Sequence, residues 1–260
     1  MFWNTNNNSI NKQICSLAQE NKLDLIILAE YSDNAVDLIN DLASCGMSMK
    51  EYLSCGCQYI RIFGSISDIQ PGPQDTRYSV QIINNRFILC AMHLPSQLNS
   101  ANECRRHIII KSIMNNIIKL EEKLETKNSI LVGDINEDPY EDGCVSAEYF
   151  FGLPCRNDAE KMTRIIEGNP YYMFYNPMWN FFGDYSSPPG TYYYNGSDPA
   201  NPLWRIFDQV LIRPCLIKDF VKDELKIATS TNKVSLLDLH GHPDKKYSDH
   251  LPIIFEIKEN

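Results

Sequence analysis

The sequence predicts an α/β (α+β) fold built as a single domain, residues 1–260, and three observations carry that prediction. Several short apolar runs are nearly continuous, as strands buried on both faces must be. Helical periodicity stands between those runs. No repeat, low-complexity tail or linker divides the 260 residues. The composition, 43% hydrophobic and 22% charged, supplies enough apolar surface for one sizeable core.

Ser9, followed by Ile10, Ile14, Leu17 and Ala18, predicts a capped helix running to about Asn21. Leu23–Ala29 predicts a buried strand with Glu30 at its end. A second helix is expected over Asp33–Ala43, stopped near Gly46. Strands follow at Gln58–Phe63, Tyr78–Ile83 and Arg86–Leu94, the last two joined by a turn at Asn84 and Asn85. The longest helical pattern covers 101–126. Ile109, Ile113, Ile117, Leu120 and Leu124 mark its apolar side, and Glu121, Glu122 and Lys123 fit a solvated face. Ser129–Val132, Arg205–Ile212 and Pro252–Ile257 read as further strands.

Residues 165–204 differ from the rest. They contain no Lys or Arg, and eleven aromatics fall in the 24 positions from Tyr171 to Tyr194. Pro177, Pro188, Pro189, Pro199 and Pro202 argue against regular structure, so an ordered, aromatic-rich loop region is expected.

A net charge of −9 argues against a broad basic surface for nucleic acid. It leaves room for a small phosphate-gripping site whose acids a cation neutralises. The N-terminus, MFWNTNNN, has no basic segment leading into an apolar one. No apolar run approaches the ~20 residues that span a bilayer. Nine scattered cysteines fit reduced thiols. These features predict a cytoplasmic protein with no stable membrane insertion and no obligate protein partner.

Polar residues recur at the ends of apolar runs. Asn4 follows Phe2 and Trp3, Glu30 follows Ala29, His93 follows Ile88–Met92, and Asp134 and Asn136 follow Ile130–Val132. Asp208 lies inside an apolar run, where a lone charge is costly, and Asp249 and His250 precede Leu251–Ile257. Each alone has a structural explanation: a turn residue, a helix cap, a satisfied core histidine. Together, acids, amides and histidines at many strand ends are the groups that hold a hard cation and move protons. Within the acidic stretch SILVGDINEDPYED, Glu137 and Asp138 read as turn residues, and Glu141 and Asp142 as solvent-facing.

Trp3–Asn6, Leu28–Glu30, Met92–Leu94, Gly133–Asn136, Phe207–Leu211 and Ser248–Pro252, in this order, resemble the motifs of the endonuclease/exonuclease/phosphatase superfamily, the deoxyribonuclease I-like group. The likeness spans residues 2–257. It implies a four-layer sandwich: two β-sheets face to face, flanked by helices. It also implies a divalent-metal-dependent phosphoesterase, a nuclease hydrolysing phosphodiester bonds. Phosphatases and phosphodiesterases acting on inositol phosphates, sphingolipids or nucleotide-derived small molecules are the alternative, and a non-catalytic interaction module is a further one.

The resemblance assigns Mg²⁺, or Mn²⁺, to Glu30 as principal ligand, with Asn4 and Asp249 in or just beyond the metal shell. Asp134 would orient or deprotonate the attacking water, and Asn136 would position that Asp or the phosphate. His250 would contact the scissile phosphate with Asp208 fixing its tautomer, and His93 would be a second phosphate contact. The sequence departs from the family pattern at Ala29, Met92 and Ile206, where Gln, Thr and Arg are usual; the last leaves the role of Arg205 open. The expected partner is a nucleic acid or a nucleotide-like phosphodiester. Arg77 and Tyr78, opening the strand of DTRYSVQI, are candidate substrate contacts or a surface pair. Trp179 and its aromatic neighbours suit stacking on bases, dipping into lipid, or packing as a lid.

Overall fold

The computed structural model describes residues 1–97, 100–183, 185 and 187–259, with the side chain of residue 100 outside that set. Two mixed sheets organise the chain. The six-stranded sheet runs Lys226–Ile227, Ile253–Ile254, Phe2–Asn4, Leu25–Ala29, Ile60–Gly64, Lys50–Glu51. The seven-stranded sheet runs Ile69–Asp75, Tyr78–Ile83, Phe87–His93, Ser129–Asp134, Asp208–Ile212, Phe174–Tyr175, Gly152–Leu153.

Period-two alternation builds the layers. In the strand Phe87–His93, Leu89 and Ala91 enter the core shared with the other sheet, while Ile88, Cys90 and Met92 enter a second core. Ile130 and Val132 against Leu131, and Val210 and Ile212 against Leu211, split in the same way. That second core is covered by the helix Ser100–Lys123 through Ile110, Ile113, Ile117 and Leu120. On the other side, Asn11–Glu20 and Ala35–Ser44 close the first core with Ile14, Leu17, Ala18, Leu38 and Leu42. The result is the expected helix–sheet–sheet–helix sandwich.

Register places the polar strand ends together. Phe2–Asn4 is parallel to Leu25–Ala29, with Asn4 beside Ala29 and Glu30 next in the chain. Phe87–His93 is parallel to Ser129–Asp134, which sets His93 beside Asp134. Asp208–Ile212 is antiparallel to Ser129–Asp134, which sets Asp208 on the other side of Asp134. His93, Asp134 and Asp208 therefore form one row across the seven-stranded sheet.

Several local expectations are corrected. Ser9 does not cap the first helix; its hydroxyl donates to Asp33 Oδ1 at 2.6 Å, and the helix begins at Asn11 without a side-chain cap. The second helix is capped by Asn34, which accepts from Val36 N. Arg205–Ile212 is two strands in different sheets, Trp204–Arg205 and Asp208–Ile212. Glu121 is 1% exposed rather than solvated. Its carboxylate takes Arg213 Nε at 2.7 Å, Lys127 Nζ at 3.0 Å and the Ser129 hydroxyl at 2.7 Å, which fastens the long helix to the sheet.

The stretch 165–204 also carries regular structure. It holds most of the hairpin Thr163–Ile166/Asn169–Tyr172, the strand Phe174–Tyr175, a 3₁₀ turn at Pro177–Phe181 and the hairpin Tyr192–Tyr193/Trp204–Arg205. Residues 184 and 186 of that stretch lie outside the described set. Among the described residues no helix is long and apolar enough to cross a membrane.

Candidate active site

At the shared end of both sheets, side chains from five strand termini and the loop before Leu251 meet in one cleft. Asp134, 1% exposed, is central. Its Oδ2 accepts from Asn4 Nδ2 at 3.0 Å, and its Oδ1 accepts from the backbone N of Asn136 at 3.0 Å. The second bond closes an Asx turn, with Asn136 in the left-handed region at φ 55°. The Asn136 amide donates to Leu94 O at 3.0 Å, tying the turn to the neighbouring strand end. Gly133 precedes this turn because a Cβ there would collide with the Met92 carbonyl of the adjacent strand.

His93 Nε2 lies 3.3 Å from Glu30 Oε1 and 3.6 Å from Asp134 Oδ2. Its Nδ1 is buried without a hydrogen-bond partner, which favours the tautomer carrying a proton on Nε2, toward the carboxylates. Glu30 sits at φ 48°, just past its strand, so its side chain leaves the sheet and turns into the cleft. Its Oε1 accepts from Asn4 Nδ2 at 3.3 Å and its Oε2 from Asn7 Nδ2 at 3.0 Å.

His250 and Asp208 form a buried pair. His250 Nδ1 lies 2.8 Å from Asp208 Oδ2, and its Nε2 points back to Asp134 Oδ2 at 3.9 Å. Burial alone would lower the imidazole pKa; the carboxylates of Asp208 and Asp134 outweigh it and push it up to about 10. Burial pushes the Asp208 carboxyl upward, while His250 beside it works in the opposite direction. The Trp3 indole donates to His250 O at 2.9 Å, and the Ser248 hydroxyl accepts from His250 N at 3.0 Å. The Tyr192 ring packs on the imidazole at 4.7 Å between centroids. Asp249 is half-buried and, among the described residues, makes no side-chain hydrogen bond or ion pair; its charge is felt at His250 and Tyr192.

The oxygen-rich side of the cleft fits a hard cation. Glu30 and Asp134 present carboxylate oxygens to the same Asn4 amide and the same His93 edge, and Asp249 directly precedes His250 in the chain. Asp134, Asp208 and His250 also offer donor atoms all within 4.8 Å of one another. In that group Asp208 Oδ2 is already held by His250 Nδ1, while Asp208 Oδ1 is buried without a hydrogen-bond partner.

The substrate candidates separate. Arg77 stands near the site: its guanidinium lies 3.8 Å over the Tyr59 ring, Tyr59 meets His93 edge-on at 5.6 Å, and Arg77 O accepts from His93 N. Tyr78 is not brought to the cleft; it is 2% exposed, and its hydroxyl bonds Asn116 and Ser112 of the long helix. Trp179 is half-buried in an aromatic group with Tyr140 and Phe182.

Glu137 and Asp138, expected as turn residues, are buried anchors. Glu137 takes Arg106 Nε at 2.9 Å and Gly143 N at 2.7 Å. Asp138 takes Ile206 N at 2.7 Å and Arg205 Nε at 3.0 Å. Arg205 thus braces the loop that follows Asn136. Glu141 is only partly exposed, and its carboxylate accepts from Gln97 and from Asp138 N. The sequence pattern does not mark Asn7, Tyr59 or Tyr192; only the run of asparagines at the N-terminus could have pointed to Asn7.

No sequence model of a known family matches the chain, and no curated protein matches it in sequence. Solved structures do. An AP endonuclease from Archaeoglobus fulgidus aligns over 99% of this chain and 98% of its own, at 13% identity and a TM-score of 0.56. The 3′ phosphatase NExo from Neisseria, bound to product DNA hairpin, aligns over 99% and 98%, at 15% identity and 0.58. Truncated TDP2 from Caenorhabditis elegans aligns over 94% and 88%, at 18% identity and 0.53. The chain has the deoxyribonuclease I-like fold. At these identities the likeness is one of fold. In this deoxyribonuclease I-like chain the cleft at the shared strand ends is the candidate active site.

Proposed function

We propose that the chain is a divalent-metal-dependent phosphoesterase that hydrolyses phosphodiester bonds, acting as a nuclease. One observation carries the reading. A buried Asp134, oriented by two donors, faces the free Nε2 edge of an Asp208-paired His250 across one cleft. That pairing suits in-line attack of water on a phosphate. The fold is shared with an AP endonuclease and with a phosphatase solved on product DNA, which supports the substrate class.

Asp134 Oδ2 orients the attacking water and receives its proton. Asp208 holds the His250 imidazolium by Nδ1, so that Nε2–H donates to a non-bridging phosphate oxygen as charge grows there. Asn136, fixed through Leu94 O, keeps the Asp134 turn in place. His93 Nε2 supplies a second donor at the same face. Glu30, Asn4 and Asp249 would hold Mg²⁺ or Mn²⁺, whose charge offsets that of the phosphate and leaving oxygen. Arg77, held flat on Tyr59 and without an ion-pair partner among the described residues, would take an outer phosphate of the substrate. The protein would act in the cytoplasm on nucleic acid or a nucleotide-like phosphodiester.

Asp134→Asn and His250→Ala test the reading on a panel of single- and double-stranded DNA, RNA, cyclic nucleotides, inositol phosphates and sphingomyelin. Each variant should lose about 10²–10⁴-fold in rate, measured per folded molecule with the far-UV spectrum of the wild type retained. Wild-type rates in both variants would overturn the assignment. The absence of Lys and Arg across 165–204 favours single-stranded or small substrates over a duplex within that panel.

A further inference from the structure

Among the groups around the cleft, one contact has no role in holding the backbone. Asn7 is exposed and lies in the left-handed region at φ 56°. Its backbone N donates to Glu30 O at 2.9 Å, and its carbonyl accepts from the Ser32 hydroxyl at 3.0 Å. Glycine would satisfy those bonds and that φ equally well. The Asn7 side chain adds something a glycine lacks: Nδ2 reaches Glu30 Oε2 at 3.0 Å. A carboxylate only accepts, so the amide must present its NH₂ there.

We infer that Asn7 is a positioning residue for the Glu30 carboxylate, fixing which oxygen faces the cleft. With Oε2 tied to Asn7, Oε1 alone is turned toward Asn4 Nδ2 and His93 Nε2, each at 3.3 Å. Without the amide the carboxylate rotates about its last torsion, and either oxygen can swing out to water. Ordering it costs binding free energy that Asn7 supplies in advance. The inference rests on the reading of Glu30 as a metal ligand.

Asn7→Gly is the test, because it keeps the left-handed backbone and removes only the amide. Binding of Mn²⁺ is measured by isothermal titration calorimetry on the full chain, beside Glu30→Gln, and all proteins are melted in EDTA. Asn7→Gly should weaken Mn²⁺ binding on the order of tenfold and leave the EDTA melting temperature unchanged. Glu30→Gln should abolish the binding. Wild-type affinity in Asn7→Gly, with binding lost in Glu30→Gln, overturns the role of Asn7 alone. A lowered melting temperature in EDTA that accompanies the weaker binding marks Asn7 as loop support and also overturns it. Wild-type affinity in Glu30→Gln sinks the metal reading of Glu30, and the inference with it.

Discussion

At the scale of single residues, the cleft is set by protonation and by committed hydrogen bonds. His250 holds its proton because Asp208 and Asp134 outweigh the cost of burying it. A folded-state pKa raised from 6.5 to about 10 stabilises the fold fully below pH 6.5, and that stability is lost as pH rises toward 10. The upward shift of Asp208 acts in the same sense. In EDTA, denaturant titrations of wild type and Asp208→Asn between pH 6 and 10 should therefore show the wild type losing ground to the variant as pH rises. A pH-independent difference would mean that the pair does not titrate as a unit.

The residues of this cleft were legible in the sequence because each stands at the end of an apolar run or, for Asp208, as a lone charge inside one. Asp134, His93, Glu30 and Asp208 needed no coordinates to be suspected. Tyr78 was misread because the start of a strand does not say which face it uses; register turns it under the long helix. Glu137 and Asp138 looked solvated because acidity in a loop is usually surface charge. Their partners Arg106, Gly143, Ile206 and Arg205 lie 6 to 68 positions away, beyond any local pattern.

At the scale of elements, buried polar networks hold the layers in register. Arg213, 1% exposed, joins Glu121 of the long helix and donates to the carbonyls of Tyr172, at the end of the hairpin, and of Met173, just after it. Arg213→Met would leave Glu121 with only Lys127 and Ser129, inside the protein. It should cost about 3–5 kcal/mol in urea unfolding. Because this network is separate from the cleft, the specific activity of the folded fraction at 25 °C should stay at the wild-type level. A loss of activity without a loss of stability would contradict that separation. The helical and strand periods gave these elements readily. The short strands Phe174–Tyr175 and Tyr192–Tyr193 escaped notice because proline and aromatic density masks a two-residue pairing, and only long-range partners create it.

At the scale of the whole molecule, two sheets bring their polar ends to one edge, and a chain of net charge −9 would have to bind an anionic phosphodiester there under the proposed function. A bound cation would resolve that conflict locally. EDTA should abolish phosphodiester hydrolysis and Mg²⁺ or Mn²⁺ restore it, with no change in the far-UV spectrum; activity that survives exhaustive chelation would remove the metal from the account. The sandwich itself was visible in the order of motifs from Trp3 to Pro252, since a site assembled from many strand ends leaves a trace at each.

The central claim is water attack on phosphorus directed by Asp134. A short single-stranded oligonucleotide incubated with the protein and Mg²⁺ in H₂¹⁸O, with products weighed by mass spectrometry, addresses it most directly. One ¹⁸O on the phosphate of each cleaved bond with the wild type, and no product above background with Asp134→Asn, is the predicted result; equal product from the two proteins, or product without ¹⁸O on phosphorus, would contradict it.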